Sequence, residues 1–503
     1  MIQLLMTVPV LLPLVGGVLM LGLPWGKEGM NQGKREQNCL LLTETIVVVT
    51  SILVWTLILL EKEGEKEAVL FYLAGRDLKV FFRLDGAGCI FAGLVSFLWP
   101  FAALYASEYM EGDERHVSFF AFYTMAYGVT LGIAFAGNLV TLYLFYELLT
   151  LVTFPLVLHY RTRESRAASR KYLYYSIGGA AFAFMGLVFI LIYGNTADFI
   201  LGGVLNRGVP GFQTNTILFM YVLAFFGFGV KAALFPVHGW LPRASVAPTP
   251  VTALLHAVAV VKSGAFAILR LTYYSYGADF VRGTWAHYVV LAAVLVTIVY
   301  GSTMAVREAH LKRRLAYSTI SNLSYVLLGV VMMNPLGLAA ALLHMVFHAF
   351  MKICAFFCAG AIMHKTEKNF VYELSDLGRQ MPMTFACFTA AGLSLTGIPL
   401  FAGFISKWNL AQAAVSAGGA IGILSVCVLL YSALMTGIYM LTVTVRALFP
   451  GAGGKSASPA RINEPGWRML VPMVLFAVLL VVFGLYSGPL SRFIMETAKG
   501  VTI

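Results

Sequence analysis

Lys231-Ala-Ala-Leu-Phe-Pro236-Val-His238-Gly-Trp240-Leu-Pro242-Arg243 sets a lysine, a histidine, two prolines and a glycine inside an otherwise apolar run that begins near residue 215. Each proline removes a backbone N–H and crowds the preceding turn, so a helix built from this run is interrupted near its middle. At membrane depth, backbone freed in this way needs protein or cavity water around it. Outward along the chain, Thr396-Gly397-Ile-Pro399-Leu-Phe-Ala-Gly403, followed by Lys407, has the same build. Two interrupted helices, each with an interior lysine, in corresponding halves of a chain point to an ion pathway made from repeats.

Composition agrees with a membrane setting. Of the 503 residues 59% are hydrophobic and only 12% are charged, against about 25% charged in a soluble chain. So few charges cannot coat a soluble surface of this length, which argues against a soluble enzyme. The net charge of +12 does not indicate nucleic acid either: no dense Lys/Arg tract alternates with aromatics, and the charges fall in short gaps between apolar runs, where they act as topology signals.

A spanning helix needs about 20 mostly apolar residues. On that rule the chain is expected to be an all-α polytopic membrane protein of about fourteen transmembrane helices. The expected spans are 1–23, 39–60, 85–107, 116–136, 138–159, 171–194, 215–243, 248–272, 285–305, 312–333, 335–363, 381–411, 418–448 and 468–491. The first is read as a retained span, having no basic leader and no small-residue cleavage site. Val69–Leu84 is expected to form a small hairpin around Ala74–Gly75, with Glu61, Glu63, Glu65 and Glu67 leading into it. Loops after odd-numbered spans hold most of the Lys and Arg, above all Arg161–Lys171 and Arg307–Arg314, so both termini are expected on the non-cytoplasmic side. By order alone, spans four to eight and nine to thirteen form five-helix units with the broken helix fourth in each.

Four lysines fall in no loop: Lys231, Lys262, Lys352 and Lys407. Glu147 is their acidic counterpart, within the apolar run that begins near residue 138. A charge at the centre of a spanning helix costs about 2.5–3.5 kcal/mol on insertion scales, so such groups are functional candidates. His344, His348 and Lys352 stand at i, i+4 and i+8, on one helix face. Imidazole titrates near neutral pH and a desolvated lysine moves toward that range, which suits the row to relaying protons, with His256 and Lys262 nearby in sequence. Glu147 is expected to pair with a buried lysine, Lys231 first. Each has a plainer reading: Lys407 snorkelling to the interface, His238 satisfying backbone at the break, His256 and His344 as hydrogen-bonded interior histidines.

Redox chemistry finds no support. There is no GxGxxG after a strand, no Walker loop and no iron–sulfur cysteine set. Cys39, Cys89, Cys354, Cys358, Cys387 and Cys427 lack paired spacings, and Cys354 and Cys358 share a helix face as packing. A metal or haem on His344 and His348 would need partner histidines, and only His256 is available. Neither cofactor nor metal is expected.

Eight stretches in order carry a resemblance: Ser107–Met110, Leu144 through Glu147, Lys231 through Pro242, Pro250 through His256, Lys262-Ser-Gly-Ala-Phe, Lys312-Arg-Arg-Leu-Ala-Tyr-Ser318, His344 through Lys352, and Gly397 through Lys407. Across spans three to twelve the chain resembles the antiporter-like subunits shared by respiratory complex I, membrane-bound hydrogenases and Mrp-type cation/proton antiporters. The resemblance implies fourteen helices with two inverted five-helix repeats, broken seventh and twelfth helices, and half-channels joined by a central hydrophilic axis. It divides the chain into residues 1–110 (helices 1–3 with the hairpin), 111–275 (first repeat), 280–448 (second repeat) and 449–503 (loop and helix 14). By motif, Glu147 is similar to the family's fifth-helix glutamate, paired with Lys231. Lys262 matches the eighth-helix lysine, His344, His348 and Lys352 continue the axis, and Lys407 matches the terminal residue of the exit half-channel. Lysine at 407 resembles the complex I N subunit, the Mrp D subunit or a hydrogenase counterpart rather than the M subunit, and the chain ends too soon for the lateral helix of the L subunit.

The family implies a subunit with no redox centre of its own that moves protons, or in some members sodium, across a prokaryotic cytoplasmic membrane. Its expected partners are other membrane subunits, further antiporter-like ones among them, and lipid, with no nucleic acid. Two rivals differ in class: a stand-alone transporter of a small solute, using the broken helices as a substrate site, and a scaffold for a redox partner whose buried charges serve helix pairing.

Overall fold

The apolar runs fold as helices because a lipid-embedded backbone must satisfy its own N–H and C=O groups. The computed structural model describes residues 2–23, 32–60, 66–73, 78–449 and 463–499. Helices α1 (Ile2–Gly22) and α2 (Gln32–Leu60) precede strands β1 (Glu67–Leu73) and β2 (Leu78–Arg83), then α3 (Gly86–Tyr109), α4 (His116–Ala134), α5 (Leu139–Val157), α6 (Arg163–Tyr193) and α7 (Thr214–Gly229). Short α8 (Leu241–Ala244), α9 (Thr249–Ala257) and α10 (Val260–Leu269) lead to a π-helical segment, Arg270–Tyr276, and α11 (Ala278–Val281). The remainder comprises α12 (Trp285–Arg307), α13 (Leu311–Val331), α14 (Pro335–Thr366), α15 (Leu377–Gln380), α16 (Pro382–Thr396), α17 (Ala402–Ala417), α18 (Gly419–Leu448), α19 (Trp467–Leu485) and α20 (Gly488–Ala498). Among the described residues, eleven helical spans are long and apolar enough to cross a membrane, with α7 and α16 as shorter apolar helices.

Both proline-bearing spans are interrupted. After α7 the chain runs through turns, with Ala233 at φ 55, before α8. The second break separates α16 from α17. Gly397 ends α16 at φ 91, a left-handed conformation open to glycine, and a Cβ there would lie 2.9 Å from Lys407 Cδ. Gly403 lets α17 start close by: its N–H donates to Ser394 Oγ at 3.1 Å, and a Cβ would run into the Ser394 carbonyl. Gly403→Ala is therefore expected to lower the amount of assembled subunit severalfold on native gels. Gly178→Ala, where a Cβ meets nothing within 4 Å, should not; equal amounts of both variants would show that the break tolerates a side chain.

Two elements differ from the sequence reading. Helix α6 starts at Arg163, well before residue 171, because Thr162 caps it by accepting the Ser165 N–H at 3.1 Å and Glu164 sits in the first turn, so the helix extends beyond its apolar part. The run expected as one span at 248–272 is also broken. Helix α9 ends at Ala257 and α10 begins at Val260, with Ala259 at ψ −83 and no proline or glycine between them.

The chain forms two compact units. The first takes in residues 1–231, 246–251 and 258–282. In it α1 packs along α4 and α6 along α7, and β1 and β2 pair antiparallel, with Ala68 opposite Phe82 and Tyr72 opposite Lys79. Lys79 bridges Glu67 at 2.9 Å and Asp198 at 3.0 Å. The expected turn at Ala74–Gly75 and the acidic residues Glu61, Glu63 and Glu65 lie outside the described residues. The second unit takes in residues 232–245, 252–257 and 283–503. At its centre is α14, 32 residues long, wrapped by α13, α16, α17, α19 and α20. Asn334 caps it by accepting the Gly337 N–H at 2.6 Å, with Pro335 in the first turn.

Candidate functional site

In the first unit, α5 carries Glu147, and Lys231 is the second residue past α7. The Lys231 ammonium is fully buried and stands 4.0 Å from Glu147 Oε1, whose side chain keeps 31% of its exposure. A buried cation needs such company, since removing either member leaves a charge at membrane depth without compensation. Tyr146, beside Glu147 in sequence, completes the nest. Its ring lies under the ammonium at 3.4 Å, its carbonyl accepts from Lys231 Nζ, and its own hydroxyl donates to the Phe228 carbonyl at 3.2 Å. The cation–π contact adds attraction that survives desolvation. Nothing in the sequence flagged Tyr146 beyond its adjacency to Glu147.

Lys262 is fully buried in the first turn of α10, just past the unforeseen interruption. Further along, Arg270, inside the expected span 248–272 but not singled out there, is fully buried at the start of the π-helical segment, where its two terminal nitrogens meet the Asp85 carboxylate at 2.5 Å each. Phe199, Phe266 and Tyr274 surround the guanidinium at 4.9, 4.9 and 4.4 Å. Asp85 also caps α3 by accepting the Gly88 N–H. The π-helical turn is a geometry often found at functional positions.

In the second unit, α14 stacks His344 on His348 with ring centres 5.6 Å apart and planes 7° apart. Lys352, one turn on, donates to Ser318 Oγ at 2.6 Å and to the Leu315 carbonyl at 3.2 Å. Ser318 in turn contacts the Tyr439 hydroxyl at 2.5 Å. His344 Nε2 lies 3.1 Å from the Asn322 carbonyl, which only accepts, so that nitrogen carries the hydrogen. Its Nδ1 faces Ser406 Oγ at 2.9 Å, and Ser406 Oγ is also 3.2 Å from the Gly403 carbonyl. A neutral His344 accepts from the serine hydroxyl; a protonated one donates to it, and the hydroxyl turns to Gly403. The histidine is thus linked to the second helix break by a single rotor.

His256 rests on Phe356, with ring centres 4.8 Å apart; Phe356 is one turn beyond Lys352 on α14. His238 stacks on Phe235 and lies 4.6 Å from the Tyr300 ring. Pro236 and Pro399 fall in the non-helical stretches of the two interrupted spans. Lys407 turns back on its own break: its ammonium donates to the Leu395 carbonyl at 2.6 Å and the Thr396 carbonyl at 3.1 Å, the open C-terminal end of α16. Tyr325 lies 5.1 Å from that ammonium and 5.3 Å from the His344 ring.

Broken apolar helices holding buried, hydrogen-bonded lysines and histidines define a polytopic membrane protein of the antiporter-like class. Residues 136–436 match the family described as NADH:quinone oxidoreductase/Mrp antiporter, transmembrane, and the chain belongs to that family. NADH-quinone oxidoreductase subunit N of Desulforudis audaxviator is 32% identical over 418 residues, covering 80% of this chain and 82% of that protein. Na(+)/H(+) antiporter subunit A1 of Staphylococcus haemolyticus is 29% identical over 436 residues, covering 82% of this chain but 53% of that protein, so the chain spans about half its length. Among solved structures, the Mrp complex from Dietzia sp. DQ12-45-1b matches with a TM-score of 0.84 at 21% identity, covering 99% of this chain and 97% of that one. The archaeal membrane-bound sulfane sulfur reductase matches at 0.81 and 20%, with the same coverage. The two likenesses show the same fold.

Proposed function

We propose that this chain is the proton-translocating subunit of a multisubunit membrane complex. Glu147 and Lys231 act as the switch: an ammonium holds its proton while a carboxylate is close and yields it more readily when the carboxylate withdraws. Lys262, His256, His344, His348 and Lys352 relay the proton, and Lys407 releases it. The observation that carries the reading is the row on α14, where His344 and Lys352 each meet a serine hydroxyl and His348 stacks on His344 between them. Protons suit this row better than sodium, because its groups are nitrogens and hard cations seek oxygen ligands.

The remaining parts of the proposal follow the family. There are fourteen membrane crossings, with two inverted five-helix repeats at 111–275 and 280–448, and both termini lie outside the cytoplasm of a prokaryotic cell. Its neighbours are further membrane subunits, antiporter-like ones included, and lipid. Energy comes from redox chemistry or a counter-ion gradient elsewhere in the complex.

The test is proton movement by the purified complex in vesicles without sodium, followed with an interior pH dye. Wild type should acidify or alkalise the lumen, and Lys352→Met should slow this roughly tenfold, equivalent to about 1.4 kcal/mol on the barrier. A requirement for sodium in wild type, or normal rates in Lys352→Met, would sink the reading.

A further inference from the structure

A second polar constellation, outside the groups just named, lies on the helix that carries Glu147. His159, two residues past the end of α5, is buried, and its Nε2 is 3.0 Å from Asp113 Oδ2. Asp113 sits in the connection between α3 and α4. Its Oδ1 accepts the Arg115 N–H at 2.7 Å, and its carbonyl faces His116 Nδ1 at 3.2 Å. Arg115 closes the loop by donating to the His159 carbonyl at 3.1 Å. The Asp113 side chain keeps 24% of its exposure and the imidazole 5%, so the pair meets water through the carboxylate and the helix end through the ring. Burial works to raise the Asp113 carboxyl, but the His159 and Arg115 hydrogen bonds and the nearby imidazoles hold it below the usual carboxylate range. An ionised carboxylate only accepts, so the His159 Nε2 carries the hydrogen between them.

Deeper along α5, Thr153 Oγ1 is 2.8 Å from the hydroxyl of Tyr172 on α6. The same tyrosine hydroxyl has Thr150, Ser176 and Glu147 in its electrostatic surroundings, short of a hydrogen bond to the Thr150 and Ser176 hydroxyls. All four hydroxyl side chains are buried. Thr150 shares a face of α5 with Glu147, three residues on, and Thr153 continues toward His159. From Thr153 to His159 is six residues, roughly 9 Å along a helix axis, a gap that about two or three hydrogen-bonded waters would span. Four buried hydroxyls on adjoining helices are more than helix pairing requires, since threonine alone can bond back to its own helix, as Thr153 does to the Leu149 carbonyl.

We propose that Asp113 and His159 form a proton-collecting site at this end of α5, and that Tyr172, with Thr153, Thr150 and Ser176, passes the proton on toward Glu147. Each hydroxyl accepts one proton on a lone pair and gives up its own to the next group. The chain is left neutral and one proton ends on the Glu147 carboxylate. The inference rests on Glu147 acting in translocation.

The experiment is the initial rate of proton uptake by the reconstituted complex. Tyr172→Phe keeps the ring and removes the hydroxyl; uptake should fall roughly tenfold with assembly and thermal stability unchanged. Thr153→Val serves the same purpose if Tyr172→Phe does not assemble. His159→Ala should slow uptake as well, and millimolar imidazole in the medium should restore it, which no purely structural role would show. Wild-type uptake in the assembled hydroxyl variant, or a His159→Ala defect that imidazole leaves untouched, overturns the route. Glu147→Gln run beside them separates the two ideas: if it too transports normally, the underlying switch has failed, whereas normal transport in Tyr172→Phe alone removes only the route.

Discussion

Lys231→Ala is expected to lower ion movement by the reconstituted complex roughly tenfold or more while the subunit still assembles, and Glu147→Gln to do the same. Lys231 is fully buried and its ammonium has three neighbours on α5: the Glu147 carboxylate at 4.0 Å, the Tyr146 ring at 3.4 Å and the Tyr146 carbonyl. Alanine removes the cation and its proton together. Glutamine keeps the size and hydrogen-bonding capacity of Glu147 and removes only the charge, so a defect there reports on electrostatics rather than packing. Solute-independent ion flux measured in vesicles, beside a native gel for assembly, checks both. Normal flux in either assembled variant would leave the pair a structural feature, as the scaffold reading holds.

The second large effect concerns stability. Asp85→Asn should destabilise the subunit by about 3 kcal/mol, at the low end of what breaking a buried ion pair costs. The cause is one-sided: Arg270 is fully buried and its guanidinium loses the one carboxylate it meets among the described residues, while asparagine can still accept the Gly88 N–H and cap α3. Arg270→Gln added to Asp85→Asn should recover most of the loss, because two neutral amides at this spacing need no counter-charge. Thermal unfolding of the detergent-solubilised complex measures both. A single variant as stable as wild type would mean that the three aromatic rings around Arg270 suffice.

The sequence carries the broken helices plainly, because proline and glycine act locally: Pro236 and Pro399 mark their own interruptions. Interior lysines are legible for a similar reason, as a charge inside an apolar run contradicts its surroundings without reference to anything distant. Arg270 escaped that logic. It lies near the end of its run, where a loop position is the economical reading, and its partner is 185 residues away. The interruption between Ala257 and Val260 contains only alanine and valine, so no local signal marks it. Tyr146 and Tyr172 look like packing in a chain that is 14% aromatic; only the neighbours they meet, a lysine ammonium in one case and a buried threonine hydroxyl in the other, set them apart.

At broken helices in many transporters, the exposed C-terminal carbonyls of a half-helix cradle a free metal cation. In this chain the carbonyls of Leu395 and Thr396 are taken by Lys407 itself. A cation held on a four-carbon stem cannot diffuse away, whatever the membrane potential. What it can surrender is a proton, and a neutral amine remains behind to keep the same two carbonyls company. The stem turns a site shaped for a passing ion into one whose occupant stays and only its charge comes and goes.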